Sequence, residues 1–295
     1  MVLVVFLLAY LIRRQLDYQD RLSSDQLWRQ WFHFGSKVEA GHEAGIGAGL
    51  ALAVLPALAA GLLVAALDSI GLGFAAYPME CVVLVLLMGA PGWAPVLQAY
   101  GDAWRRGNMR EAWESIQDQL PPQERQAGFA PGAMHQALSR VFLQSIFQRF
   151  FLIGFWYVVG GIGLAVLARG LVALKEQWPQ AAARSRFTFL CEVVAWLPVR
   201  VLSVTFGIAG DLAGWLRELP VGPSQFSNKL DHILMISANG ALTGYALDPD
   251  RFFEIHPKEW PDFGHRSLNA IRELLNRSML VWICGLALLV ISGLI

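Results

Sequence analysis

Arginines placed in or beside apolar runs are the residues here best suited to chemistry. Arg200 closes the run WLPVR at 196–200, two residues after Pro198, and Arg149 opens the run RFFLIGFW. An ionisable group at membrane depth faces a protein interior or a watery cavity, because removing charge from water is costly. Pro198 frees a backbone carbonyl in its helix. A guanidinium beside it can hold an anionic group bidentately, or else snorkel to the headgroups or pair with a carboxylate. Glu192 precedes Arg200 by about 12 Å of helix, too far to be its partner there; Arg149 and Arg169 on the preceding helix are candidates to pair with Glu192. Arg149 also reads as an interfacial anchor. Ser237 and Asn239, in SANG at 237–240, offer a hydroxyl and an amide on a permissive backbone, suited either to a ligand or to a turn. Arg149, Glu192, Arg200, Ser237 and Asn239 are therefore the candidate ligand-binding residues. No catalytic or metal-binding residue is assigned, since GxSxG, HExxH and kinase patterns are all missing. Cys81, Cys191 and Cys284 are far apart in apolar surroundings and read as small buried hydrophobes. The adjacent pairs His42-Glu43 and Asp231-His232 point in different directions on a helix and fit a surface better than a metal.

The elements that must position these groups are apolar helices. The chain has 295 residues, of which 55% are hydrophobic and 16% charged, against about 25% charged in a soluble domain. Residues 44–67 and 278–295 carry no charge at all, and roughly 20 such residues span a bilayer core. Six segments are candidates to cross: 1–12 (extending toward Leu16), 44–67, 77–97, 150–169, 187–210 and 277–295, the fifth, with Glu192, Pro198 and Arg200, reading equally as a half-span or a partly interfacial segment. The fold class is thus all-α, a polytopic membrane bundle with amphipathic cytoplasmic helices. Lysine and arginine counts put 13–43 and 98–148 in the cytoplasm and the base-free 68–76 outside. With six crossings, 170–186 faces outward and 211–276 returns to the cytoplasm. The run 98–120 places Met109, Ala112, Trp113, Ile116 and Leu120 at helical spacing, and 133–148 does the same with Met134, Leu138, Val141, Phe142 and Ile146. These two helices form a cytoplasmic insert over 98–148. The segment 211–276 is a membrane-associated polar stretch, with an amphipathic run at 225–247 and a short helix near 265–276. Small residues at Gly45, Gly47 and Gly49, and at Gly160, Gly161 and Gly163, suit close helix packing. The whole of 1–295 reads as a single membrane domain. Its net charge is zero, so no nucleic-acid partner is expected; the bilayer is the first partner.

The run RFFLIGFWYVVGG at 149–161, followed by WLPVR at 196–200, resembles the AmpE family of bacterial inner-membrane proteins. The order of features is similar over nearly the whole chain. That family is related to the CobD/CbiB membrane enzymes of cobalamin assembly, which form an amide. The enzymes carry an E-N-x-x-D-type cluster where this sequence has QSIFQRF at 144–150, and acidic residues where only Glu192 stands in CEVVAWLPVR at 191–200. SANGALTGYAL at 237–247 resembles their S-P-N-A-G…A-G-A-L region. Mg-ATP chemistry needs carboxylates to hold the metal, so the missing acids argue against a ligase and no cofactor is expected. The resemblance implies a regulatory or sensory protein of the inner membrane, modulating β-lactamase induction and cell-wall recycling, with an anionic cell-wall fragment or a cytoplasmic protein as partner. An amide-forming synthase and a muropeptide-type transporter are the alternatives.

Overall fold

The computed structural model describes residues 1–18, 25–36, 46–89, 92–122, 124–127, 130–218 and 229–293, the side chains of 126, 127, 181 and 182 aside. His42, Glu43 and Gly45, and residues 225–228 of the amphipathic run, lie outside the described residues. The regular structure among them is entirely helical. In chain order the helices are α1 (Val2–Tyr18), α2 (Asp25–Gly35), α3 (Ile46–Ser69), α4 (Gly73–Leu87), α5 (Trp93–Arg105), α6 (Met109–Ile116) and α7 (Pro131–Ile146). A π-helical turn, Phe147–Phe151, joins α7 to α8 (Leu152–Gln177). Then come α9 (Thr188–Ala209), α10 (Leu212–Glu218), α11 (Leu230–Ala241), α12 (Pro249–Ile255) and α13 (Phe263–Ile291).

The chain is an all-α membrane protein. Four helical stretches among the described residues are long and apolar enough to cross a bilayer: Ile46–Ser69, Pro131–Gln177, Ala183–Ala209 and Pro257–Ile291. Six segments were candidates to cross, and the differences have local causes. Segment 77–97 is two helices. Gly89 (φ 116°) and Gly92 (φ 83°) take conformations closed to most side chains, so α4 stops at Leu87 after 15 residues and α5 starts afresh at Trp93. The insert helix expected over 98–120 also breaks, at Gly107 (φ 72°), and Asn108 restarts it by accepting the Glu111 amide. Its apolar positions Ala112, Trp113, Ile116 and Leu120 are buried as the spacing required. The short helix expected at 265–276 and the last span are one element, α13, of 29 residues. The α1 helix keeps Arg13 inside it, buried, rather than in a following loop.

Two compact units divide the chain: Met1–Pro91 with Ile146–Pro198 and Gly285–Ile295, and Gly92–Ser145 with Val199–Cys284. In the first, α3 is apolar all round, and its small residues Gly49, Ala53, Ala57 and Gly61 fall at four-residue intervals. Gly163 approaches so closely that a Cβ there would meet the Ala57 carbonyl at 3.2 Å and the Gly61 Cα at 3.4 Å. Gly170 packs on Ala53 a further two turns along. Close backbone approach replaces hydrophobic drive in lipid, and Gly163 makes it as expected; Gly49 instead leaves room for the Phe187 ring, and a Cβ at Gly47 would meet nothing.

Gly160 and Gly161 have another role. Both leave helical geometry inside α8, Gly160 at φ −148°, ψ 25° and Gly161 at φ 70°, ψ −166°. Arg149 and Arg169, on either side of them, bond to the same carboxylate, that of Asp25. A straight helix would hold those two Cα atoms roughly 30 Å apart, far beyond what two side chains can close on one group. The chain therefore turns back at the Gly160-Gly161 pair. Segment 150–169, expected as one straight crossing, turns back at this pair; the arm before it continues α7 through the π-turn, and the arm after it runs on to Gln177.

Candidate functional site

The hairpin's open end gathers the charges of the first unit. Arg149 lies in the π-turn, a geometry concentrated at functional positions because it re-aims side chains. Its Nη2 donates to Asp25 Oδ2 at 2.8 Å and its Nη1 to the Gly89 carbonyl at 3.3 Å. Arg169, wholly buried, donates from Nη2 to Asp25 Oδ1 at 2.5 Å. Glu176 Oε2 stands 3.7 Å from both guanidinium groups. Arg29 reaches Gln177 Oε1 at 3.1 Å from the rim. Beside them Arg13 pairs with Asp17 at 2.8 Å and donates to the Val85 carbonyl. Arg13 and Arg149 together satisfy carbonyls at the end of α4, where the helix dipole favours cations. Burial by itself would raise the Asp25 carboxyl. The Arg149 charge and hydrogen bond, with Arg169 and Arg29 adding, outweigh it and hold the group below the usual carboxylate range.

Arg149 and Arg169 thus find their anions on α2 and at the far end of α8, and Glu192, their candidate partner from sequence, is exposed on α9. Pro198 lies inside α9 and frees the Val194 carbonyl, as expected. What satisfies that carbonyl is the Trp156 indole, donating at 3.1 Å. Pro56 in α3 likewise frees the Leu52 carbonyl, which accepts from the Trp31 indole at 2.8 Å. One device, an indole capping a proline-vacated acceptor, serves two helices.

In the second unit, Ser237 shares a 2.6 Å hydrogen bond with Ser203 of α9, and Trp215 donates to Ser203. Asn239 donates to the Gly244 carbonyl and accepts from the Leu247 amide, closing the loop after α11. Both residues spend their polar groups within the protein, and Asn239 makes a turn. That loop walls an open cleft of about 450 Å³, within the size range of small-molecule sites. Its apolar lining includes Leu242, Tyr245, Phe252 and Phe263, and its polar lining Asp211, Thr243, Arg266 and Arg277. Thr243 holds φ 74°, an uncommon and strained conformation for a β-branched residue. Glu259 bonds to Arg266. Arg200 is half-buried on α9 and is not among the residues lining the cleft. Nothing in the sequence reading singled out Asp25, Glu176, Arg266, Arg277 or His135. The last is fully buried, bonded to Tyr100 at 3.0 Å and to the cleft residue Ser267 at 2.7 Å.

Compared with known protein families, with curated proteins and with solved structures, the chain finds no match. Among the described residues no three His, Cys, Asp or Glu side chains converge as metal ligands would.

Proposed function

We propose that this chain is a regulatory protein of the bacterial inner membrane, of the AmpE type, modulating β-lactamase induction and cell-wall recycling. It does so by holding an amphiphilic anion, a cell-wall fragment in chemical class, in the cleft of the second unit without transforming it. The observation that carries the reading is the construction of that cleft. A mostly apolar lining with Arg277 in it, beside an Arg266 that is bonded to Glu259, suits a ligand that is part apolar and part carboxylate. The run SANGALTGYAL, singled out by resemblance, supplies the wall, and Asn239 fixes its shape.

The test is calorimetric titration of the detergent-purified chain with an anhydro-muropeptide and with its amidated, uncharged analogue. Binding of the acid alone, weakened about tenfold or more by Arg277→Ala, supports the reading. Equal binding of both, or none, ends it. Mg-ATP with a corrinoid acid, run alongside, tests amide formation directly.

A second reading, transport of such anions, has one observation in its favour. Helices interrupted within the membrane line the substrate sites of many carriers, and α8 is interrupted at Gly160-Gly161. Uptake of the labelled fragment into proteoliposomes would favour it; binding without uptake leaves the sensor.

A further inference from the structure

Arg149 and Arg169 converge on one carboxylate, and that carboxylate belongs to neither arm of the hairpin. It comes from the first residue of α2, a short amphipathic helix held by Trp28, Phe32 and the Trp31 indole. Each guanidinium takes one oxygen of Asp25, the geometry in which a bound carboxylate or phosphate group would be gripped. Asp25 does not use all that the pair offers. Arg169 Nε and Nη1 are buried without a hydrogen-bond partner, Nη1 standing at ion-pair distance, 3.7 Å, from Glu176 Oε2. A buried guanidinium donor left unmet is costly, so an anion that reaches Arg169 Nε gains from it. The side chain of Asp25 is 23% exposed and that of Arg149 13%, which leaves the pair a route to the outside.

We propose that Arg149 and Arg169 form a receptor for one carboxylate or phosphate group, occupied in this structure by Asp25 as an internal stand-in, so that α2 is a plug an external anion displaces. This site is separate from the cleft of the second unit and does not depend on the function proposed for it. A tetrahedral phosphate brings more acceptor oxygens than Asp25, and Arg169 Nε is a donor still to be met.

The test uses the full chain in detergent with Asp25→Ala, which empties the pair. Thermal unfolding is followed while sodium acetate, then inorganic phosphate, is titrated against sodium chloride of equal ionic strength. The expected result is a lowered Tm that acetate or phosphate restores saturably and chloride does not. Adding Arg149→Gln should weaken that rescue about tenfold or more. Nanodiscs of phosphatidylglycerol, compared with phosphatidylcholine, separate a lipid headgroup from a free anion as the source. Rescue by either source supports the receptor. Indifference to all of them, or equal rescue with Arg149→Gln present, overturns it. Should Asp25→Ala not fold, the wild type gives the answer: hydrogen exchange of the α2 amides rises with phosphate if Asp25 is displaced, and unchanged exchange sinks the proposal.

Discussion

Replacing Trp156 by Phe removes one N–H from the first unit and leaves most of the ring volume in place. The indole donates at 3.1 Å to the Val194 carbonyl, which Pro198, four residues on, cannot serve. In a bilayer no water takes over an abandoned carbonyl. The cost should therefore be that of a buried unsatisfied acceptor, about 1–3 kcal/mol. The sharper test is a double-mutant cycle. Pro198→Ala restores an amide to residue 198, and Val194 regains its intrahelical donor. In that background Trp156→Phe should lose most of its effect, giving a coupling on the order of 1–2 kcal/mol. Unfolding of the four proteins by SDS titration in mixed micelles, read by circular dichroism, supplies the numbers. An equal cost for Trp156→Phe with and without Pro198 would refute the capping argument and reduce the contact to packing.

Gly89→Ala should destabilise by more than the about 1–3 kcal/mol of backbone strain alone, because its φ is 116° and a Cβ would lie 1.8 Å from Arg13 Nε; chemical denaturation measures it. The Asp25 carboxyl is held low in the folded state, so its contribution is complete above the unfolded value near 3.8 and is lost as pH falls through the lower folded value. The Tm gap between wild type and Asp25→Asn should accordingly be constant near neutrality and close only in strong acid; a gap that closes at pH 6 contradicts the assignment. Thr243→Gly relieves a positive φ and should raise stability by about 1 kcal/mol, seen as a higher Tm; a lower one would mean that the Thr243 side chain holds the loop.

Much of the helical content was legible in the sequence because its signal is local. The unbroken apolarity of 44–67 marks the helix α3, and the spacing of Met134, Leu138 and Phe142 marks α7 with those positions buried as expected. Hydropathy could not see the breaks. At Gly89, Gly107 and Gly160-Gly161 the chain changes direction through φ, and a glycine in an apolar run looks the same whether it packs, as Gly163 does, or turns. Arg149 was visible as a charge at the head of an apolar run. Its partner Asp25 lies 124 residues away in a segment read as loop, and no periodicity links the two. Pro198 announced a vacant carbonyl, yet the residue filling it was predictable only by knowing that α8 passes alongside. The cleft arginines were hidden for another reason: Arg266 and Arg277 sit in α13, whose amphipathic first half had been separated from its apolar second half.

The hairpin of α8 has a consequence for the order of synthesis. Asp25 leaves the ribosome 124 residues before Arg149 and 144 before Arg169. Its α2 and the α3 surface for the second arm are made first, and the carboxylate must wait for both arginines. The first arm emerges before the arm it pairs with. It settles only after the Gly160-Gly161 turn and some eight further residues have followed. Contacts so distant in sequence form late and slowly. A translational pause after residue 177 would therefore cost this protein little, whereas one near residue 160 would strand a half-made hairpin at the membrane.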